Sequence, residues 1–161
     1  MKTDALDAET KVLEAPQDHK DELRLWLRLL TCSNLVEGEI RRRLREQFDT
    51  TLPRFDFLAQ LERFPDGMTL GDLSRRMMVS NGNVTAVAER LLQAGLIARA
   101  PAPGDRRVQI VKLTEAGRGE FASMAAEHEA WIAGLFAGLA PKEIGELLRL
   151  LGKLKGSVLG G

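Results

Sequence analysis

The sequence predicts a mainly α-helical protein that carries one small β-hairpin. A short helix is predicted over TLGDLSRRM, which begins at Thr69. A longer helix is predicted between Ser80 and Gly95, and two short apolar runs around a turn rich in proline and glycine follow it. Helix, helix and hairpin in this order are the parts of a winged helix-turn-helix head, which places its second helix in the DNA major groove.

The second helix has the composition of a recognition helix. Ser80 is the predicted N-cap, and Gly95 stands where a helix end needs a residue tolerant of positive φ, so about four turns lie between them. One face is apolar and consists of Val84, Val87, Leu91 and Leu92. The other face has side chains suited to base edges or phosphates, namely Asn81, Asn83, Thr85 and Arg90. The alternative is that SNGNVT is only the capped start of an ordinary helix.

The hairpin brings positive charge beside this helix. Its turn is predicted from the residues that restrict or release φ, Pro101, Pro103 and Gly104. Its tip carries Asp105, Arg106 and Arg107. Arginines in this place are suited to phosphates or a narrow minor groove, and Asp105 can orient Arg107 through a charge-assisted hydrogen bond. The alternative is that the two arginines only keep a surface hairpin soluble.

Charge is segregated along a chain whose formal net charge is zero. Residues 1–22 hold seven acidic side chains against three lysines, a net charge of −4, whereas residues 69–118 hold eight basic against four acidic side chains, a net charge of +4. A DNA-facing surface needs such a basic region, and Arg75 and Arg76 add further candidates for phosphate contacts. Chance segregation is the alternative.

Length and composition describe an ordinary globular chain. It has 161 residues, of which 44% are hydrophobic and 29% charged, enough for one core-bearing domain. No apolar run approaches the length of a membrane helix, and the N-terminus MKTDALDAETK is too polar for a signal peptide. We therefore expect a cytoplasmic protein that has no membrane partner.

Long helices are predicted on both sides of the head. A stripe through Leu23, Trp26, Leu27 and Leu30 predicts a helix from about Asp21 to about Phe48, and Pro53 is predicted to take the first position of the next helix. After the hairpin, a second apolar face consists of Phe121, Met124, Ala125, His128, Ile132, Leu135 and Phe136. Pro141 opens a last helix whose apolar stripe consists of Ile144, Leu147, Leu148, Leu151 and Leu154.

These stripes predict a homodimer, because one domain of this size cannot easily bury them. We expect residues 1–20 to be an acidic, flexible leader and residues 21–161 to be a single domain. Within that domain, residues 53–114 form the head, and residues 21–52 and 115–161 form the dimerisation helices. A two-fold dimer presents two recognition helices about 34 Å apart and so expects a palindromic double-stranded DNA operator. A monomer whose last helix packs on its own chain is the alternative.

The residues that carry these predictions resemble the MarR-type winged-helix transcription regulators. The resemblance lies in LGDLSRRMMVSNGNVTAVAERLLQAGLIAR and in GDRRVQIVKLTEAG, and in weaker form it extends from about Leu23 to about Leu154. The family's wing and wing-exit positions hold Asp105, Arg107, Leu113, Thr114 and Gly117. One departure is PAPG, which stands just before Asp105 where relatives often have an acidic residue and an arginine. The resemblance implies a ligand-responsive repressor.

A small-molecule pocket is a further implication of the resemblance. Ser33, Asn34 and Glu37 interrupt the first apolar stripe, and three aromatic side chains and a histidine complete the predicted pocket: Trp26, Phe55, Phe57 and His128. The segment 25–56 is similar to a MarR-type subgroup that controls aromatic-acid catabolism and responds to aromatic acyl-CoA thioesters. This similarity implies repression of a catabolic operon and candidate CoA-phosphate ligands at Arg41, Arg42, Arg43 and Arg45. A solvated basic helix face is the alternative.

Catalytic and metal chemistry find no support in the sequence. CxxC, HExxH, GxSxG and Walker motifs are absent, and a metal site needs more His and Cys than this chain has, so we expect no cofactor, no metal and no enzymatic activity. Cys32 is the only cysteine, and we expect a buried, inert thiol rather than an oxidant sensor. Two other function classes stay open: a winged-helix module that binds protein, and a small-molecule-binding enzyme subunit.

Overall fold

A computed structural model describes residues 20–77 and 83–161 of the chain. Of these described residues, those up to Glu127 belong to one compact unit, and His128–Gly161 form a second. Within the described residues, the helices are α1 (Lys20–Phe48), α2 (Leu52–Glu62), α3 (Leu70–Arg76), α4 (Val84–Gln93), α5 (Glu115–Leu135) and α6 (Pro141–Leu159). The strands are β1 (Ile97–Ala102) and β2 (Asp105–Leu113). The predicted mainly helical fold with a small hairpin is confirmed.

The long helix predicted from about Asp21 to about Phe48 is confirmed as α1, which begins one residue earlier than expected. Helix α1 ends at a backbone turn. Asp49 has a φ of 48°, in the left-handed region, and its N–H donates to the Arg45 carbonyl over 3.1 Å. Aspartate tolerates this conformation better than most side chains. Ile40 and Leu44 near this end are buried, whereas Leu23, Trp26 and Leu30 are exposed. The prediction that Cys32 is buried is wrong, because this residue is exposed on α1.

Helix α2 is the centre of the head. Its buried side chains include Phe55, Phe57, Leu58 and Leu61, and it contacts α1, α3, α4 and β2. Full burial of one such side chain contributes about 1.5–3 kcal/mol to folding. Pro53 was predicted at the first helical position, and this prediction is wrong: the Thr51 hydroxyl accepts the Arg54 N–H over 3.4 Å, so the helix begins at Leu52.

The hairpin is antiparallel, and Ile97 pairs with Leu113 at its base. Met68, which precedes α3, forms an isolated bridge to Val111, with backbone hydrogen bonds of 3.0 and 2.8 Å. Ile97, Ile110 and Val111 are buried. The hairpin is therefore anchored to the helical head along its inner face.

Thr114 joins the end of α4, the base of the hairpin and the start of α5. Its N–H donates to the Leu96 carbonyl over 3.0 Å, and its hydroxyl donates to the Gly95 carbonyl over 2.7 Å. The same hydroxyl accepts the Gly117 N–H over 3.0 Å. A Cβ at position 117 would lie 1.9 Å from the Leu96 carbonyl oxygen, so only glycine allows α5 to start this close to the hairpin.

The second unit contains the end of α5 and all of α6. Helix α5 ends at Leu135, so Phe136 follows the helix, and Trp131 is buried. Helix α6 begins at Pro141 as predicted, and the Glu143 carboxylate accepts the Ala140 N–H over 2.7 Å. None of its residues is buried, and the whole predicted stripe is exposed: Ile144, Leu147, Leu148, Leu151 and Leu154.

Across residues 20–77 and 83–161, no helix combines the length and the apolarity that crossing a bilayer requires.

The close approach at Gly117 gives a stability prediction. Gly117→Ala should lower the free energy of unfolding by about 1–3 kcal/mol, because the new methyl group overlaps backbone that cannot rotate away. The matched control is Gly119→Ala in the same helix, where a Cβ meets no atom within 4 Å. There, alanine should stabilise the helix by about 0.5–1 kcal/mol. Thermal unfolding at one fixed protein concentration measures both, and equal midpoints for the two variants would contradict the prediction.

Candidate nucleic-acid interface

Helices α3 and α4 form the helix-turn-helix. Helix α3 starts at Thr69, whose hydroxyl accepts the Asp72 N–H over 3.1 Å and donates to the Asp72 carboxylate over 3.0 Å. The hydroxyl of Thr69 and the guanidinium of Arg75 both lower the pKa of Asp72, the hydroxyl more. The first turn of α3 is therefore capped and carries a carboxylate, as the positive end of a helix favours.

The recognition helix begins later than the sequence predicted. Its N-cap is Asn83, whose side-chain oxygen accepts the Ala86 N–H over 3.2 Å. The prediction of Ser80 as the cap is wrong, because Asn83 accepts a free amide of the first turn. The helix therefore has 10 residues and is shorter than the predicted four turns. Ser80 and Asn81 lie outside the described residues. The predicted end is confirmed, since Gly95 has a φ of 74°.

Two faces of α4 differ in exposure. Ala88 and Leu91 are buried, and Val84, Val87 and Leu92 are half-buried. Ala88 was missing from the predicted apolar face, because alanine carries little weight in a hydrophobic pattern. The opposite face is exposed and holds Thr85, Ala86, Glu89 and Arg90. This face is thus accessible along the whole helix. Two of the predicted DNA contacts, Thr85 and Arg90, lie on it.

The hairpin turn is shorter than predicted. Ala102 pairs with Asp105, so Pro103 and Gly104 alone form the loop. Gly104 has a φ of 85°, and proline followed by a glycine of positive φ suits a type II turn. Pro101 was predicted in the turn, and this is wrong: it lies in β1 and pairs with Gln109.

A bulge in β2 presents the two arginines of the hairpin. The register passes from Asp105 directly to Gln109 between adjacent residues of β1, so residues 106–108 have no Cα partner in β1. Proline at position 101 has no N–H for the ladder, which favours such an irregularity. Arg106 and Arg107 are both exposed, and the side chain of Arg107 is 92% exposed.

Asp105 orients Arg107 as predicted. Its Oδ1 atom accepts the Arg107 backbone N–H over 3.0 Å and the Arg107 Nε–H over 3.4 Å. This double contact fixes the start of the arginine side chain and leaves the end of the guanidinium exposed. The geometry suits a contact with phosphate or with a minor groove.

The arginines of α3 have partners that sequence reasoning missed. Arg75 forms an ion pair with Asp72, one turn earlier in the same helix. The guanidinium of Arg76 lies 4.6 Å from the centroid of the Phe64 ring, a cation–π contact. Both arginines stay exposed. A spacing of three residues, as between Asp72 and Arg75, could have indicated the ion pair, whereas the Phe64 contact depends on the fold.

A third missed contact joins α4 to β1. Arg99 Nη2 donates to Glu89 Oε1 across ten residues of sequence. No helical spacing or strand pairing relates these positions, so local patterns could not find the contact. It places an ion pair between the two elements of the candidate interface.

The residues predicted to line a ligand pocket occupy different environments. Phe55 and Phe57 are buried, and the Phe55 and Phe121 ring centroids lie 5.5 Å apart. Trp26 and Asn34 are exposed on α1. His128 belongs to the second unit, where burial lowers its pKa. The pocket stays a prediction.

The basic residues of α1 form a network with glutamates. Arg41 binds Glu37 over 2.6 Å, and Arg42 and Arg43 each bind Glu39 over 2.7 Å. Hydrogen bonds from Arg42 and Arg43 hold the pKa of Glu39 at about 2. A CoA phosphate at these arginines would therefore compete with carboxylates that already bind them.

Comparisons with known proteins agree with this geometry. A sequence model of the MarR family matches residues 48–108. The transcriptional activatory protein BadR of Rhodopseudomonas palustris is 36% identical over 105 residues, which are 63% of this chain and 59% of BadR. The chain thus spans less than two thirds of that relative's length.

Solved structures match over most of the chain. A MarR family transcriptional regulator from Silicibacter pomeroyi has a TM-score of 0.78 and 30% identity, with 89% of this chain and 99% of that chain covered. AbsC, a MarR family transcriptional regulator from Streptomyces coelicolor, has a TM-score of 0.73 and 25% identity, with coverage of 92% and 99%. These relatives are transcriptional regulators and not enzymes.

The capping role of Asn83 gives a stability prediction for α4. Asn83→Ala should lower the free energy of unfolding by about 1 kcal/mol, because the Ala86 N–H loses its acceptor. Asn83→Asp should keep the stability, since aspartate caps helices as well as asparagine. Thermal unfolding of the two variants beside the parent checks this. A loss for Asn83→Asp as large as for Asn83→Ala would show that the cap does not act in this way.

Proposed function

Because the chain belongs to the MarR family of winged helix-turn-helix transcriptional regulators, we propose that it binds a palindromic operator as a homodimer. A small molecule then controls that binding. The observation that carries the proposal is the exposed polar face of α4 beside a hairpin whose bulge presents Arg106 and Arg107. A helix fits the major groove, and arginines beside it reach phosphates or the minor groove.

Each predicted contact receives a role in this proposal. Asn83 and Thr85, with Asn81 and Ser80 just before them, read base edges near the start of α4. Asn83 keeps its amide N–H groups as donors, because the cap uses its oxygen. The arginines proposed for phosphates are Arg75, Arg76, Arg90 and Arg106. Arg107, oriented by Asp105, enters the minor groove.

Exposed apolar stripes support the homodimer. In the first unit, Leu23, Trp26 and Leu30 are exposed on α1, and in the second unit the whole α6 stripe is exposed. A helix of 19 residues with no buried side chain leaves its apolar face in water unless a partner covers it. A second copy of the chain covers such a face symmetrically and sets the spacing of two recognition helices.

The effect on transcription and the effector are the finer parts of the proposal. We propose a cytoplasmic repressor of a catabolic operon. A small aromatic effector releases this repressor from its operator, because it binds more tightly to the conformation that does not fit DNA. An activator is the second candidate, because the relative of 36% identity is described as an activatory protein. Transcription from the operator promoter with and without the protein separates the two.

The effector class rests on the arginines of α1 and on the predicted aromatic pocket. An aromatic acyl-CoA thioester would place its phosphates at Arg41 and Arg42 and its aromatic group near Trp26, Phe55 and Phe57. Repeating the DNA-binding measurement with benzoate and with benzoyl-CoA tests this part. Release by the thioester alone supports a role for the arginines, and release by neither compound contradicts the proposed effector class.

Arg107→Ala tests DNA binding itself. The variant should bind operator DNA at least about tenfold more weakly, and its salt dependence should fall by about one unit for each wing, because a charged contact is lost in both half-sites. Fluorescence anisotropy with a duplex from the region upstream of the gene measures both quantities. Arg149→Ala is the matched control, since it removes the same charge from α6, where Arg149 pairs with Glu146. Equal affinity of the two variants would contradict the proposal.

Leu151→Glu tests the homodimer. A carboxylate in the middle of the α6 stripe should convert the dimer to a monomer, because its desolvation opposes burial of the stripe. Light scattering after gel filtration gives the mass in solution. Lys153→Glu is the control, because two residues along a helix place the new carboxylate on the opposite face. A parent protein with the mass of one chain would refute the dimer directly.

A further inference from the structure

The two carboxylates between positions 83 and 113 both have arginine partners. Asp105 contacts Arg107 within the hairpin, and Glu89 of α4 forms an ion pair with Arg99 of β1. This stretch contains the exposed face of α4 and the whole hairpin. In the part of the proposed DNA-binding surface between these positions, an arginine thus balances each of the two negative charges.

Glu89 lies on the face of α4 proposed to approach DNA. It follows Thr85 by four residues, so the two side chains share one side of the helix, and Arg90 is its neighbour. The Glu89 side chain is 50% exposed and that of Arg99 is 48% exposed. Without a partner, this carboxylate would stand among the phosphate contacts of α4.

We propose that Arg99 is a positioning residue for DNA binding, which acts by holding the Glu89 carboxylate toward β1 and cancelling its charge. The inference rests on the proposed function. An uncompensated negative charge near phosphates lowers affinity through repulsion in each half-site. A half-exposed ion pair contributes little to folding, so the contribution of the pair is to DNA binding and not to stability.

A direct contact between Arg99 and phosphate is the rival explanation. Both explanations expect Arg99→Ala to bind DNA more weakly. They differ once Glu89 is neutralised. A positioning role ends when there is no carboxylate to hold, whereas a direct phosphate contact is still missing in the double variant.

The experiment is a double-mutant cycle with Arg99→Ala, Glu89→Gln and both together, measured by anisotropy on operator DNA. Arg99→Ala should weaken binding about tenfold across the two half-sites, and Glu89→Gln should bind at least as tightly as the parent. The double variant should return to within about twofold of Glu89→Gln, with the salt dependence of the parent. The control combines Glu89→Gln with Arg107→Ala, and in this double variant Glu89→Gln should not restore DNA binding.

Several outcomes would overturn the inference. A loss that persists in the double variant assigns Arg99 to a phosphate contact. An Arg99→Ala variant that binds normally, or a Glu89→Gln variant that binds as weakly as Arg99→Ala, also overturns it. A lower unfolding midpoint for Arg99→Ala that Glu89→Gln does not restore assigns the effect to folding. A parent protein that binds no DNA is a different result, because it refutes the proposed function.

Discussion

The contact between Thr114, Leu96 and Gly117 is the constraint on which the geometry of the head depends. It joins the end of α4, the base of the hairpin and the first turn of α5 through three hydrogen bonds of 2.7–3.0 Å. Because Gly117 has no Cβ, the backbone of α5 can approach the Leu96 carbonyl closely. The hairpin therefore leaves α4 and returns to the helical body at fixed points, and its first strand β1 lies beside α4.

Charge pairing explains how a chain of zero net charge presents a basic surface. Asp72, Glu89 and Asp105 lie in the region of the helix-turn-helix and hairpin, and each contacts an arginine. The negative charge of each of these acids is therefore balanced by an arginine of the same region. Arginine suits this arrangement, because its planar fork can bind a carboxylate and still offer N–H donors to another acceptor.

Helix α2 inside the head and helix α6 outside it differ in how much of their apolar surface is buried. Helix α2 is buried on most sides and holds the head together, whereas α6 has no buried residue. In the proposed homodimer, the buried α2 would hold each head together, and the exposed stripe of α6 would contact the second copy. The proposed effector could then act by favouring one distance between the two heads, which would change DNA affinity.

The sequence by itself determined the order of elements, the ends of α1 and α4, the start of α6 and the Asp105–Arg107 contact. These depend on local periodicity, glycine or proline positions and residues close together in the chain. Only the tertiary structure decided that Asn83 rather than Ser80 caps α4, that Pro101 lies in β1, and that Glu89 meets Arg99. Several residues near a helix start can serve as a cap, and strand register and long-range ion pairs depend on which surfaces pack together, so local patterns leave these choices open.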